Sequence, residues 1–433
     1  MRADDWLQAW TGGRRAVHIG DVADFNARFL AQSPGAREQG HHYSCLAAFY
    51  SPHPAALLLP HQVEEGWIRW LERELAWDPV ELHSGLAVDR GMAEALAARP
   101  ALRQRIEGLG LPVHRWGRPD LPTVRRYEAK SASSALFGRV AADHPGITVP
   151  RQEPADSPRR LARLLTRRAG RGETTVLKAD HGVGGFGTAL VTPEDVHRAG
   201  GGRELLRRLA RDGVLPEGGG LRVEEYVESC GGRLRDLTFD AVIGADGGVH
   251  PVGVGVMRVV GTGYRGATVG PGTVPAPLAD TAVRFGLAVG EVLAAEGHRG
   301  WYDIDFVTHR TGRLAPTETN LRLTGPAVAF MLRARLDAVR GPGHHVRTLD
   351  RLPLGARLPQ SALLAHLESL AARCRPFGAT LLPTIPTASF DPHPSVGVAL
   401  AATSPDALEA AEAVVRHANA ALGEPFGALP AGS

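Results

Sequence analysis

Apolar positions in the first 125 residues follow two rhythms. Short continuous runs, Ala16–Gly20 and Ala55–His61, read as buried strands, whereas Glu64–Ala76 and Met92–Gly110 space apolar residues at helical intervals. Strands alternating with helices predict an open α/β layer. The Pro-rich stretch Leu111–Val124 marks a domain edge. Beyond it the pattern predicts a helix over Glu128–His144, then Gly146–Pro150, then a helix with Ser157 as N-cap and Pro158 at its first position. A strand Thr174–Ala179, a glycine loop Asp180–Thr188 and a strand Ala189–Thr192 follow. Leu221–Glu228 reads as a strand leaving the core, and Arg235–Gly261 as a meander turning at Asp246–Gly248. Gly261–Pro275 is expected to be a mobile glycine-rich loop. A helix over Ala279–Glu296 precedes a hairpin, Trp301–Gly325, that turns near Thr311–Gly312. A helix over Ser361–Arg373, strands near Ala379–Pro386 and Val396–Ala401, and a final helix Ser404–Leu422 suggest a small C-terminal α/β domain. The expected domains are 1–125, 126–342 and 343–433, with no internal repeat.

Composition removes several classes. With 433 residues, 43% hydrophobic and 22% charged, disorder as the main state is excluded. No apolar run approaches the ~18 residues of a membrane span. The opening MRADDWLQAW lacks the basic-then-apolar order of a secretory signal. Cys45, Cys230 and Cys374 are too scattered for a disulfide framework or a CxxC metal site. A cytoplasmic protein of enzyme size is expected. The formal charge is only +3, and Arg159–Arg160 and Arg167–Arg168 fit a solvated helix face, so no nucleic-acid partner is expected. Lysine usage changes the picture: Lys130 and Lys178 are the only two lysines among 49 basic residues. A lysine kept in that background suggests a site needing a compact ammonium, although codon bias with two random survivors gives the same count.

Three segments carry chemistry. Lys178 stands directly before Gly182, Gly184, Gly185 and Gly187, whose backbone N–H groups could close on phosphate oxygens or form an ordinary tight turn. It is not a Walker loop, because the lysine precedes the glycines. In the hairpin, Asp303 and Asp305 alternate on one strand, and Glu318, Asn320 and Arg322 alternate on the other. Such a face suits magnesium, or it is a solvent-facing polar pair with a salt bridge to Arg322. Arg222–Glu228 could offer main-chain groups to an adenine edge or form an edge strand. His41, His42, His61 and His181 show no HxH or HExxH spacing, so surface or packing roles are expected.

The order Lys130, Lys178, glycine loop, Glu224-Glu225-Tyr226, Asp305, Glu318, Asn320 and Arg322 resembles the ATP-grasp superfamily of carboxylate–amine ligases. The likeness spans about Tyr127–Pro326. It implies an ATP-grasp fold, mixed α/β and α+β, with an N-terminal open α/β pre-ATP-grasp domain. ATP and Mg²⁺ are implied cofactors. The resemblance places Lys130, Lys178, Gly184, Gly185, Phe186, Gly187, Glu224, Glu225, Tyr226, Val227 and Glu228 on the nucleotide. Asp305, Glu318 and Asn320 fall on the metal, and Arg322 and Arg258 on the transferring phosphoryl group. Where the family has a ribose-binding Glu, this chain has Gly231–Gly232, with Glu228 or Asp236 as substitutes. The flanking segments look like peptide ligases of the pheganomycin type, which implies amino-acid and peptide substrates, natural-product biosynthesis and, by analogy, a homodimer. A small-molecule kinase on the same fold and a non-catalytic nucleotide binder are the alternatives.

Overall fold

The computed structural model describes residues 5–87, 90–155, 157–182, 187–215, 220–229 and 231–423. The chain forms two compact units, one of residues 1–118, 265–273 and 323–433, the other of residues 119–264 and 274–322.

In the first unit, four parallel strands lie in the order Glu81–His83, Pro54–Leu58, Ala16–Ile19, Val113–Arg115. All four residues of Ala16–Ile19 are buried, which explains its lack of polar alternation. The expected helix Met92–Gly110 is instead two, Met92–Ala97 and Pro100–Gly108. Pro100 disfavours helical backbone at Arg99, which takes φ −126°, ψ 72°. A second, antiparallel set runs Gly263–Val269, His345–Pro353, Ser395–Ala402, Thr380–Ile385. The stretch expected as a mobile loop therefore contains the strand Gly263–Val269, paired through Thr268 and Val269 to Arg347 and Val346. Its glycines serve close approach: at Gly266, φ +144°, a Cβ would collide with the Thr348 carbonyl. The pattern did not reveal helices Pro34–Tyr43 and Gly325–Arg340, nor strand His345–Pro353. Gly325–Leu332 is buried on every side, so its helix has no polar period to read.

In the second unit, Gln152–Ala155, Leu221–Glu225, Thr175–Ala179 and Thr188–Val191 form an antiparallel sheet in that order. Helices Pro158–Ala169 and Gly202–Arg211 contribute Leu161, Leu165 and Leu205 to a core with Leu177, Val191 and Val223. Ser157 caps the first of these helices as expected, accepting from Arg160 N at 3.2 Å. A second antiparallel group is ordered Leu314–Asn320, Gly300–Thr308, Asp236–Ile243, Val249–Val260. Helix Ala276–Ala295 comes so close to it that a Cβ on Gly286 would enter the Phe239 ring, and one on Gly290 would meet the Tyr302 hydroxyl. The expected hairpin is present, with Asp303 opposite Asn320 and Asp305 opposite Glu318.

Candidate functional site

Both lysines are buried against the Leu314–Asn320 strand. Lys178 pairs in register with Arg222, and Glu224 lies diagonally across on the same face. Lys178 Nζ is 2.8 Å from Glu224 Oε1 and donates to the Thr317 carbonyl at 3.2 Å. Gln152, directly opposite Glu224, donates to its other oxygen at 2.6 Å. Lys130 is the first residue of helix Lys130–Val140, and its Nζ is 2.9 Å from Glu318 Oε2.

Asp180 holds the two lysines in one place. It follows Lys178 by two residues and meets the start of the Lys130 helix, which has no side-chain cap of its own. Its carbonyl accepts from Lys130 N at 2.8 Å, and its carboxylate accepts from Ser131 N at 2.9 Å and Ser131 Oγ at 3.0 Å. These bonds satisfy helix-start donors that would otherwise lack partners. Burial favours the neutral acid, but the Ser131 hydrogen bonds and the Arg222 charge outweigh it and hold Asp180 below its ordinary range.

The hairpin residues are not a solvent-facing polar pair: Asp303, Asn320 and Arg322 are 1%, 6% and 6% exposed. Asp303 Oδ1 accepts from Asn320 N at 3.2 Å and Nδ2 at 2.8 Å. Arg322 donates to Asn320 Oδ1 at 2.7 Å and lies 3.4 Å from Glu128 Oε2. Glu128 also accepts from Leu321 N at 2.9 Å, fixing the chain where the strand ends. One strand further in, Asp240 stands beside Asp303 and accepts from Thr238 and Trp301.

The carboxylates are electrically divided. Burial pushes Glu318 up, but Lys130, Lys178 and Arg322 bring it down to about 2. Burial pushes Asp305 well above its ordinary range, and the charges of Asp303, Glu318 and Asp240 add to this. Burial and Asp303 do the same to Asp240. Asp305 Oδ1 is buried with no hydrogen-bond partner among the described residues. An orphaned carboxylate oxygen beside a second carboxylate fits a hard divalent cation, and the buried ammonium groups fit an anion.

Other expected site residues fall elsewhere or outside the described residues. Arg258 is exposed. The pairing of its strand with Asp236–Ile243 ends at Val256, two residues before it. The Leu221–Glu225 strand ends before Tyr226 and Val227. Glu224 is an anchor for Lys178, and Glu225 is 3.3 Å from Arg151. Glu228 pairs with Arg310 at 2.7 Å. Gly184, Gly185 and Phe186 lie outside the described residues. Gly187, at φ +78°, accepts from Ala179 N at 2.6 Å. Sequence reasoning missed Gln152, Asp180, Glu128 and Asp240. Asp180 had a signal in its place two residues after Lys178, and Glu128 in its place two residues before Lys130. Asp240 required knowledge of strand order.

No family model and no curated protein matches the chain. Solved structures do. An N5-carboxyaminoimidazole ribonucleotide synthetase in complex with ADP matches at TM-score 0.53 and 11% identity, over 94% of this chain and 97% of that one. An L-amino acid ligase from Bacillus licheniformis matches at 0.51 and 13%, over 93% and 97%. An Aspergillus clavatus carboxyaminoimidazole ribonucleotide synthase complexed with ATP matches at 0.50 and 15%, over 85% and 97%. At these identities the likeness establishes the fold, which is mixed α/β of the ATP-grasp type.

Proposed function

We propose that this chain is an ATP-dependent, ADP-forming carboxylate–amine ligase that joins an amino acid to the amine of an amino acid or peptide. The observation that carries this reading is the convergence of the only two lysines, both buried, on the strand of Glu318. The fold shared with the ADP- and ATP-bound synthetases and the L-amino acid ligase supports it.

In the proposed reaction a substrate carboxylate oxygen attacks the γ-phosphorus of ATP, and ADP leaves. The amine nitrogen attacks the acyl carbon of the resulting acyl phosphate, inorganic phosphate leaves, and the amine proton passes to solvent. An α-amino group titrates at about 7.7–8.0, so a useful fraction is a free nucleophile near neutral pH without a dedicated base. Lys130 and Lys178 would exchange their present partners, Glu318 and Glu224, for phosphate oxygens. Arg322 would balance negative charge developing beside Asn320. Asp305 and Glu318 would hold Mg²⁺, with Asn320 Oδ1 beside them; the ion supplies charge neutralisation and Lewis acidity. The backbone of Tyr226 and Val227, beyond the strand end, would face the adenine edge. Natural-product biosynthesis of the pheganomycin kind is the proposed setting, and a homodimer the proposed assembly.

The test is ADP release with ATP and Mg²⁺ across a matrix of carboxylates and amines, with product masses. ADP formed only when acid and amine are both present, with a condensed product, is the expected result. A phosphorylated acceptor without condensation would establish a kinase instead. Binding of ATP without turnover over a broad panel would leave a nucleotide-binding protein.

A further inference from the structure

Outside the site described above, three segments of the first unit bring metal-ligating atoms together. Glu38 and His42 lie one turn apart on helix Pro34–Tyr43. His61 follows strand Pro54–Leu58, and Asp391 follows the short helical turn Thr387–Phe390. Glu38 Oε1 is 3.6 Å from His42 Nε2 and 3.3 Å from His61 Nε2. His42 Nε2 is 3.1 Å from Asp391 Oδ2. The ligand atoms of Glu38, His42 and His61 all lie within 4.8 Å of one another, close to the roughly 3.3–3.4 Å that separates donors about 2.0–2.1 Å from a tetrahedral ion, and Asp391 adjoins them through His42.

Two further observations point to an ion. His42 is 5% exposed, and its Nε2 is buried with no hydrogen-bond partner among the described residues. Its other nitrogen is engaged: Nδ1 lies 2.8 Å from Thr387 Oγ1, which is itself 3.4 Å from Cys45 Sγ. Such a bond at Nδ1 orients the ring and leaves the Nε2 lone pair for a ligand, as second partners do for metal-bound imidazoles. Two imidazoles and two carboxylates are a borderline donor set, suited to zinc rather than magnesium.

We propose that Glu38, His42 and His61, with Asp391 as the fourth donor, bind one divalent transition ion of the zinc class. The ion would tie the N-terminal helix Pro34–Tyr43 to the C-terminal segment around Asp391. The sequence hid the site because its ligands are 353 residues apart end to end and only Glu38 and His42 share an element.

The experiment uses the full chain, stripped with a chelator, dialysed and titrated calorimetrically with Zn²⁺ alone. Co²⁺ is substituted in parallel for its visible absorption. One equivalent of Zn²⁺ per chain and a tetrahedral Co²⁺ band are expected. His61→Gln and Glu38→Gln should each weaken Zn²⁺ binding at least tenfold and abolish the band, with circular dichroism unchanged. Glu318→Gln, which alters the other carboxylate site, should leave both readouts as in the unmodified chain. Failure of the unmodified chain to take up Zn²⁺ would overturn the proposal. So would uptake that His61→Gln leaves intact, or uptake that Glu318→Gln removes.

Discussion

A guanidinium at position 178 would have to fit between Glu224 and the Thr317 carbonyl, where an ammonium now makes both contacts. Arginine is wider, planar and unable to act as a point charge. Lys178→Arg is therefore expected to behave like Lys178→Ala, each lowering kcat/KM for ADP formation by about 100-fold or more, the scale of losing a charge-stabilising donor. Asp305 carries the opposite lesson. Its folded-state value is raised above 3.8, so the native protein holds the proton more tightly than the unfolded chain. That contribution favours folding at low pH and is lost as pH rises through the window above 3.8. Asp305→Asn should thus raise the Tm measured without nucleotide at pH 7 while eliminating ADP release. Glu318 has the other sign: folded at about 2 against an ordinary 4.5, its contribution is full above pH 4.5 and falls away towards pH 2. Acid melts of Glu318→Gln should lose that part of the slope. At this scale the sequence disclosed which residue types mattered, because lysine is so rare. It did not disclose that Glu224 serves as a side-chain partner, since nothing local says which face a strand presents.

Elements were legible where period and turn chemistry agreed. The Gly300–Thr308 and Leu314–Asn320 hairpin is expected from its alternating polar positions and its turn, which Gly312 closes at φ +80°, although the pairing slips by a bulge between Asp305 and Phe306. Alternation failed as a guide at Gly263–Val269, where glycines permit strand contact rather than motion. It failed again at Met92–Gly110, where the apolar spacing continues across a proline that ends the helix. Two predictions belong here. Gly286→Ala and Gly290→Ala should each destabilise by about 1–3 kcal/mol in denaturant melts, because the helix must lift off Phe239 or Tyr302. Asp180→Ala should slow ADP formation and raise the KM for ATP without abolishing turnover, since it positions both lysine-bearing segments and touches no reacting atom. Asp180→Asn, which keeps an acceptor for Ser131, should restore part of the loss.

At the scale of the molecule, residues far apart in sequence share one unit. Trp67, fully buried on helix Glu65–Leu75, donates to the Pro383 carbonyl at 2.9 Å, and Gln360 accepts from Glu64 N at 3.0 Å. A chain ending at residue 342 would leave that tryptophan face uncovered and is expected to aggregate or be cleaved rapidly in limited proteolysis. Local pattern found the two C-terminal helices and two of the three C-terminal strands, missing His345–Pro353, and did not give their partners, because long-range pairing leaves no periodic mark. The burial of both lysines has a further consequence for a catalyst of the proposed kind. An activated acyl group that escapes from such an enzyme can modify the enzyme's own surface amines. Here the other basic side chains are guanidinium groups, poor nucleophiles at neutral pH. The exterior therefore offers no lysine amine to an escaped acyl phosphate of the proposed kind, and after prolonged turnover peptide mapping should find it free of acyl-lysine adducts.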